Sequence, residues 1–384
     1  MGRRTVLISG AGIAGPTLAY WLARRGFEVT VVERARERRS SGSPVDVRGA
    51  AVGVAESMGI MARLREIATR VPGLTVITRS GGRIGPAAVG RPGGDEVEVL
   101  RTDLAAALHD VAKDGAEFRF GDAITALRQD DGGVDVTFER ATARRFDLVI
   151  GADGLHSGVR GLVFGPESGC VRHLGLYIAT VPFGEPATDP DTVLIHNKPG
   201  RMVAVHPARG DSGAAFIFRG PAIPGLDHRD TERHRRIVLD AYRDGDWRLP
   251  GVPDPLERLR AATDLYFDGV SRVRLPAWSR GRVALVGDAA ATVSLFGDGS
   301  SLALTGAHTL AEALAASPDD HPGAFRAYQA RHRARAHAKQ RGYRVAAGFL
   351  VPATGTGIAV RNLAVRLLPR AGAARTTGSA QPGR

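Results

Sequence analysis

The run Gly10-Ala11-Gly12-Ile13-Ala14-Gly15 constrains this chain more than any other feature. Before it, Thr5–Ser9 is short and apolar and reads as a buried strand. After it, Ile13–Arg25 carries Leu18, Trp21 and Leu22 at helical spacing and stops at Gly26. Glu28–Glu33 reads as a second strand. Strand, glycine-rich turn, helix, strand is the order of a parallel crossover unit. In such a unit the first glycine permits a tight turn. The second lets backbone approach a pyrophosphate, and the third lets helix lie close to strand. The helix N-terminus offers unbonded N–H groups and the positive end of its dipole to phosphates. Glu33 ends the second strand 23 residues after Gly10, where a carboxylate accepts hydrogen bonds from a ribose diol. Arg34 follows, either near an adenine or as one more surface arginine.

Two later strand ends repeat the theme. Phe146–Gly151 delivers Asp153-Gly154 to a turn just before a helix; Asp153 reads either as part of a ligand site or as a helix cap. Arg282–Val286 ends in Gly287-Asp288, and Asp288 is placed to accept a hydrogen bond from a cofactor hydroxyl. The run Gly297-Asp298-Gly299-Ser300-Ser301 then leads into a helix over Leu302–Leu314. The N-terminus of that helix suits the edge of a reduced flavin that carries negative charge.

These three motifs, in this order, resemble the FAD-dependent monooxygenases of the para-hydroxybenzoate hydroxylase fold, the class A flavoprotein monooxygenases. That family includes aromatic hydroxylases and tetracycline-inactivating enzymes. The resemblance covers residues 1 to about 345. It implies that Arg101, ahead of Thr102-Asp103-Leu104, contacts FAD at a helix start. It implies an acidic position beside FAD at Asp46, with Arg48 in the same loop, and a nicotinamide-nucleotide contact at Arg39. Ala14, Gly299 and Ser300 complete the expected cofactor-binding set. The sequence departs from the family between Gly287-Asp288-Ala289-Ala290 and the next glycines. Ala291-Thr-Val-Ser-Leu-Phe296 has no proline and is a residue short, which bears on the pocket shape beside the flavin.

The implied fold is α/β: a Rossmann-like FAD-binding domain of the glutathione reductase type (1–171 with 276–345), interrupted by an antiparallel-sheet substrate domain (172–275). A C-terminal helical segment (346–370) and a flexible tail (371–384) follow. The residues agree with an inserted sheet. Gly175–Pro182, Thr192–His196, Arg201–His206 and Ala214–Phe218 read as strands, with a turn at Asn197-Lys198-Pro199-Gly200. A helix is expected over Thr231–Arg243 and a long arginine-rich one over Ala324–Ala347.

The implied activity is hydroxylation of an aromatic or polyketide-like small molecule, in secondary metabolism or antibiotic modification. NADPH or NADH reduces FAD, O2 adds at flavin C4a, and the resulting hydroperoxide passes one oxygen atom to the substrate. The substrate is expected between the sheet and the flavin. His196, Met202, His206, Phe216 and Phe218 either line that space or are ordinary sheet packing. No catalytic base stands out. A flavin reductase, a dehydrogenase or a halogenase on the same fold are alternatives, although the Trp-x-Trp-x-Ile-Pro pattern of halogenases is absent. A flavin-binding partner protein without turnover is a further alternative.

Composition narrows the remaining classes. One cysteine, Cys170, excludes an internal disulfide and fits a reducing, cytoplasmic setting. The net charge of +12 invites a nucleic-acid reading, but 49 of the 52 basic residues are arginine, the mark of a GC-rich codon bias, and no nucleic-acid motif accompanies them. Arg3-Arg4 ahead of Val6–Leu22 superficially resembles an export signal, yet the run is glycine-rich and reads as the first strand and helix. No apolar stretch is long enough to span a membrane. The histidines show no metal-ligand spacing; His332 and His337 are expected on the surface of a basic helix. The oligomeric state is left open.

Overall fold

The computed structural model describes residues 3–37, 43–69, 71–88, 94–186, 189–207, 212–292 and 298–368. Arg39, the segment 293–297 of the proline-lacking loop and the expected tail from 371 lie outside the described residues. In chain order the elements are β1 (Thr5–Ser9), α1 (Ala14–Arg24), β2 (Glu28–Glu33), β3 (Pro44–Val47), α2 (Ala50–Ser57), α3 (Met61–Ile67), β4 (Gly73–Ile77), β5 (Arg83–Ala88), β6 (Val97–Leu100), α4 (Arg101–Ala112), β7 (Ala116–Phe120), β8 (Ile124–Gln129), β9 (Val134–Phe138), β10 (Arg144–Phe146), β11 (Leu148–Gly151) and α5 (Gly158–Phe164). Then come β12 (Val171–Pro182), β13 (Thr192–Lys198), β14 (Arg201–Pro207), β15 (Ser212–Arg219), α6 (Thr231–Tyr242), α7 (Pro255–Ala261), β16 (Tyr266–Val273), β17 (Ser279–Arg280), β18 (Val283–Leu285), α8 (Asp298–Ala316), α9 (His321–Arg341), α10 (Tyr343–Leu350) and α11 (Gly355–Arg366).

The chain divides into two compact units. The first comprises Met1–Ala68, Glu96–Leu174 and Val270–Tyr343; the second comprises Thr69–Asp95, Gly175–Gly269 and Arg344–Arg384. The first is built on a sheet of order β17-β18-β11-β1-β2-β7, parallel except at β17. Val6, Leu7 and Ile8 of β1 and Leu148, Val149 and Ile150 of β11 are all fully buried. That is why these strands read as unbroken apolar runs: a parallel strand with both faces covered has no polar side to alternate with. α1 turns Ala14, Leu18 and Leu22 inward, and Pro16 sits in its first turn, where a missing N–H costs nothing.

α9 corrects the expected surface assignment of His332. Phe325, Tyr328, His332, Ala336 and Gln340 are buried along one side at helical spacing, and the arginines occupy the other side. A dense basic composition hid this stripe, because a single histidine and an alanine stand where leucines usually mark a core face. His332 rests over Gly306 of α8 and hydrogen-bonds the backbone at Leu302. Burial, together with Arg335, pushes its pKa down to about 4. A base with a depressed folded-state pKa stabilises the fold fully above its unfolded value near 6.5. That contribution is lost as pH falls from there toward 4. We expect the wild type to lose about 2 kcal/mol more than His332→Gln between pH 7 and pH 5. Urea unfolding of both proteins at the two pH values checks this, and parallel losses would remove His332 as the cause.

The second unit centres on a sheet of order β16-β12-β15-β14-β13-β4-β5. β12 to β15 match the expected antiparallel strands. β4 and β5 were not anticipated: Gly81-Gly82, Gly85 and Pro86 interrupt their pattern, and the parallel pairing of β4 with β13 spans well over a hundred residues. Residues 69–95 therefore fall in the second unit rather than with the flanking Rossmann-like segments. One face of this sheet is covered by α6 and α7, and Tyr242 places its hydroxyl between the carbonyls of Met202 and Ile217, at 2.6 and 2.9 Å.

Candidate functional site

Three motifs leave the first unit's sheet at one level. Ser9 at the end of β1 pairs with Gly151 at the end of β11, and Gly151 pairs with Leu285 at the end of β18. Val32, next to Glu33, lies opposite Ser9 on the other side. The turns Gly10–Gly15, Ala152-Asp153-Gly154 and Gly287-Asp288 therefore open side by side at the carboxyl edge of a parallel sheet, the edge where open α/β sheets bind ligands.

The glycines of the first turn divide by what surrounds them. A Cβ on Gly10 would meet the Ala152 carbonyl oxygen at 2.5 Å, and the residue has φ of +106°. A Cβ on Gly15 would fall on the Gly10 carbonyl oxygen. Both positions are demanded by the fold. A Cβ on Gly12 has no neighbour within 4 Å, and its φ lies outside the left-handed region. The fold does not require glycine there, so an open cradle stands in front of Gly12. Behind it, α1 begins at Ala14 with no side chain capping its N–H groups. Glu33 is held beside this turn, accepting from the Ala11 N–H at 2.8 Å and the Ala35 N–H at 2.9 Å. Each carboxylate oxygen keeps a further lone pair for another donor. Open cradle, uncapped helix and adjacent carboxylate together fit the pyrophosphate and ribose of a dinucleotide.

Asp153 is largely committed within the protein. It accepts from the Ser157 hydroxyl at 2.5 Å, from the Val159 N–H at 3.0 Å and, weakly, from Ser9. Ser157 in turn caps α5 through the Arg160 N–H at 3.0 Å. Burial holds the Asp153 carboxyl above the ordinary range, against the lowering effect of these donors. The Arg34 guanidinium reaches the start of α5, beside Gly158.

The third group gathers at α8, which starts at Asp298 rather than at Leu302, so Gly299 and Ser300 belong to its first turn. Asp288 Oδ1 lies 3.6 Å from the place where a Gly299 Cβ would be. The Ser300 and Ser301 hydroxyls donate to the Asp46 carbonyl at 2.6 and 2.8 Å, and Ser301 accepts from the Arg48 N–H at 3.1 Å. Asp46 and Arg48 form an ion pair at 3.5 Å. These bonds fasten β3 to α8. Asp46 pairs with Glu98 across β3 and β6, and Arg101 opens α4 just beyond, its N–H donating to the Ser43 carbonyl at 3.0 Å.

Two contributors went unrecognised in the sequence. Ser301 holds the backbone of Asp46 and Arg48, and nothing distinguishes it from Ser300 by type. Arg160 is 1% exposed, with its guanidinium bonded to the Leu155 carbonyl at 2.5 Å and the Ala289 carbonyl at 3.2 Å. It ties the second motif to the third. The signal was present: a lone arginine in the otherwise uncharged stretch Gly158–Phe164.

Of the sheet residues raised as pocket candidates, His196, Phe216 and Phe218 lie beneath α6, against Trp247 or Tyr242. They are core. Met202 and His206 alternate to the opposite face, since Val203 and Val205 point into that core.

Comparison with known proteins agrees with this geometry. The family described as FAD binding domain matches residues 3–341. A protein of Mycobacterium tuberculosis without assigned function is 41% identical over 85% of this chain and 89% of its own length. A flavin-dependent monooxygenase of Legionella longbeachae is 33% identical over 90% of each chain. Among solved structures, the tetracycline destructase Tet(51) superposes with a TM-score of 0.82 at 30% identity, covering 95% of this chain and 96% of that one. The chain is a flavoprotein that takes FAD, and it belongs to the FAD-dependent monooxygenase family.

Proposed function

We propose that this enzyme uses NADPH or NADH and O2 to hydroxylate an aromatic or polyketide-like small molecule, as in antibiotic modification. The observation that carries the reading is the open cradle at Gly12, set among three strand ends in register. The substrate class rests on likeness to a tetracycline destructase across nearly the whole of both chains. FAD, when bound, supplies the redox chemistry, taking electrons from reduced nicotinamide and activating O2. Gly10, Gly12, Ala14 and Gly15 would seat its pyrophosphate on the N–H groups of α1. Glu33 would hold ribose hydroxyls, with Arg34 and Arg101 adding positive charge. Asp288 would accept from a cofactor hydroxyl. Asp46 and Arg48 would close one side through the bonds that fix α8, while Asp153 shapes the adjoining turn. The first turn of α8, with Gly299 and Ser300, would turn the positive end of its helix dipole toward the site, favouring the anionic form of the reduced ring. Oxygen transfer to a carbon needs positioning and exclusion of water rather than a protein nucleophile. The first unit is then the cofactor part and the sheet of the second unit the substrate part. The free Cys170 suits a reducing cytoplasm.

Substrate-stimulated NAD(P)H oxidation with 18O from labelled O2 appearing in the product is the expected result. Oxidation without label would make the protein a reductase, and no oxidation would make it a binding protein. Asp288→Ala should stay folded and bind FAD roughly tenfold to a hundredfold more weakly, the worth of a charge-assisted hydrogen bond. A flavin titration with unchanged affinity would take Asp288 out of the site.

A further inference from the structure

Two properties coincide in the C-terminal segment. Among the described residues, the large apolar side chains left open to solvent are Leu162 and, within this segment, Val345, Phe349, Val360, Leu363, Leu367 and Leu368. On α11 the usual arrangement is inverted. The inward side holds Val365 and Arg361, whose guanidinium donates to the Asn197 side-chain oxygen at 2.7 Å. The outward side shows Val360, Leu363 and Leu367 at 64, 59 and 79% exposure, and their i, i+3, i+7 spacing puts them on one helix face. A solvated helix buries leucine and exposes arginine. Scattered apolar side chains need no explanation, but a continuous exposed stripe marks a contact surface.

Charge indicates what covers it. The segment of the second unit that carries α11, Arg344–Arg384, holds six arginines and none of the 40 acidic residues. A second copy would bring two surfaces of the same sign together. A nucleic acid would answer the charge and leave the stripe in water. An acidic lipid surface answers both, because an amphipathic helix buries its apolar side at the headgroup boundary while arginines hold anionic headgroups. We propose that the outward face of α11 seats on an anionic membrane surface, with Val360, Leu363 and Leu367 inserted and the exposed Arg366 beside them. No described helix is long and apolar enough to cross a membrane, so the contact is interfacial.

The test is co-sedimentation of the full-length, FAD-loaded protein with vesicles. Binding to phosphatidylcholine mixed with phosphatidylglycerol should exceed binding to phosphatidylcholine alone by about tenfold or more, and should weaken as salt rises from about 0.1 M. The variant Val360→Ser/Leu363→Ser/Leu367→Ser should keep its flavin and lose about tenfold or more in vesicle affinity, and Arg366→Glu should lose roughly fivefold or more. Equal binding to both vesicle types overturns the proposal, as does a triple-serine variant that binds like the parent. A parent that ignores vesicles but is a dimer broken by the serines makes a second copy the occupant. A parent that ignores vesicles but binds RNA makes the surface a polyanion site.

Discussion

Gly12→Val is expected to purify as a folded, colourless protein. A Cβ at Gly12 has no neighbour within 4 Å and the backbone needs no left-handed conformation there, so branching at that position should be tolerated by the protein itself. The side chain has no room once a pyrophosphate lies against the turn. Losing several charge-assisted backbone contacts, each worth about 1.5–3 kcal/mol, should lower FAD affinity by about a thousandfold. The control is Gly15→Val, whose Cβ meets the Gly10 carbonyl of the same turn and should leave the protein insoluble or unfolded. Flavin stoichiometry by absorbance, with circular dichroism for the fold, separates the two. A yellow Gly12→Val protein with full flavin content would refute the cradle.

Arg160→Leu should destabilise the protein by about 3–5 kcal/mol and lower its unfolding midpoint by roughly 10 °C. The loss comes less from the contact with Glu167, whose carboxylate is 44% exposed and adds little, than from leaving the buried Leu155 and Ala289 carbonyls without a donor. Because Ala289 follows Asp288, FAD affinity should fall as well. Thermal unfolding of the apoprotein gives the first effect free of the second. A midpoint unchanged within about 2 °C would mean that water or another side chain satisfies those carbonyls.

The cofactor half of the molecule was legible because its signals are local. A buried parallel strand is a short apolar run, and the turns that follow need glycine for steric reasons visible in one or two residues. Gly10 and Gly287 take positive φ in their turns, and Gly15 lies against the Gly10 carbonyl of its own turn. What stayed hidden depends on distant partners. β4 becomes a strand by pairing with β13, far along the chain and across glycines that break any pattern. His332 is buried because Gly306, on another helix, makes room for it. His196 pairs with Val203 across β13 and β14, so Met202 and His206 fall on the other face of the sheet, and only the packing of Trp247 shows which face His196 takes. Asp153 has a carboxylate of the right type at the right strand end, but its hydrogen bonds to Ser157 and Val159 give it a local duty that motif spacing cannot reveal.

The register of β1, β11 and β18 has a consequence for how the protein is made. β1 and β11 are synthesised early, but β18 and the first turn of α8 emerge from the ribosome only after every strand of the intervening sheet. On the proposed site, flavin has no complete seat until that turn has left the ribosome, and the nascent chain must keep the edge of β11 protected meanwhile. Chains released before that point should be colourless and prone to pair through that edge, whereas chains released after α9 should take up flavin.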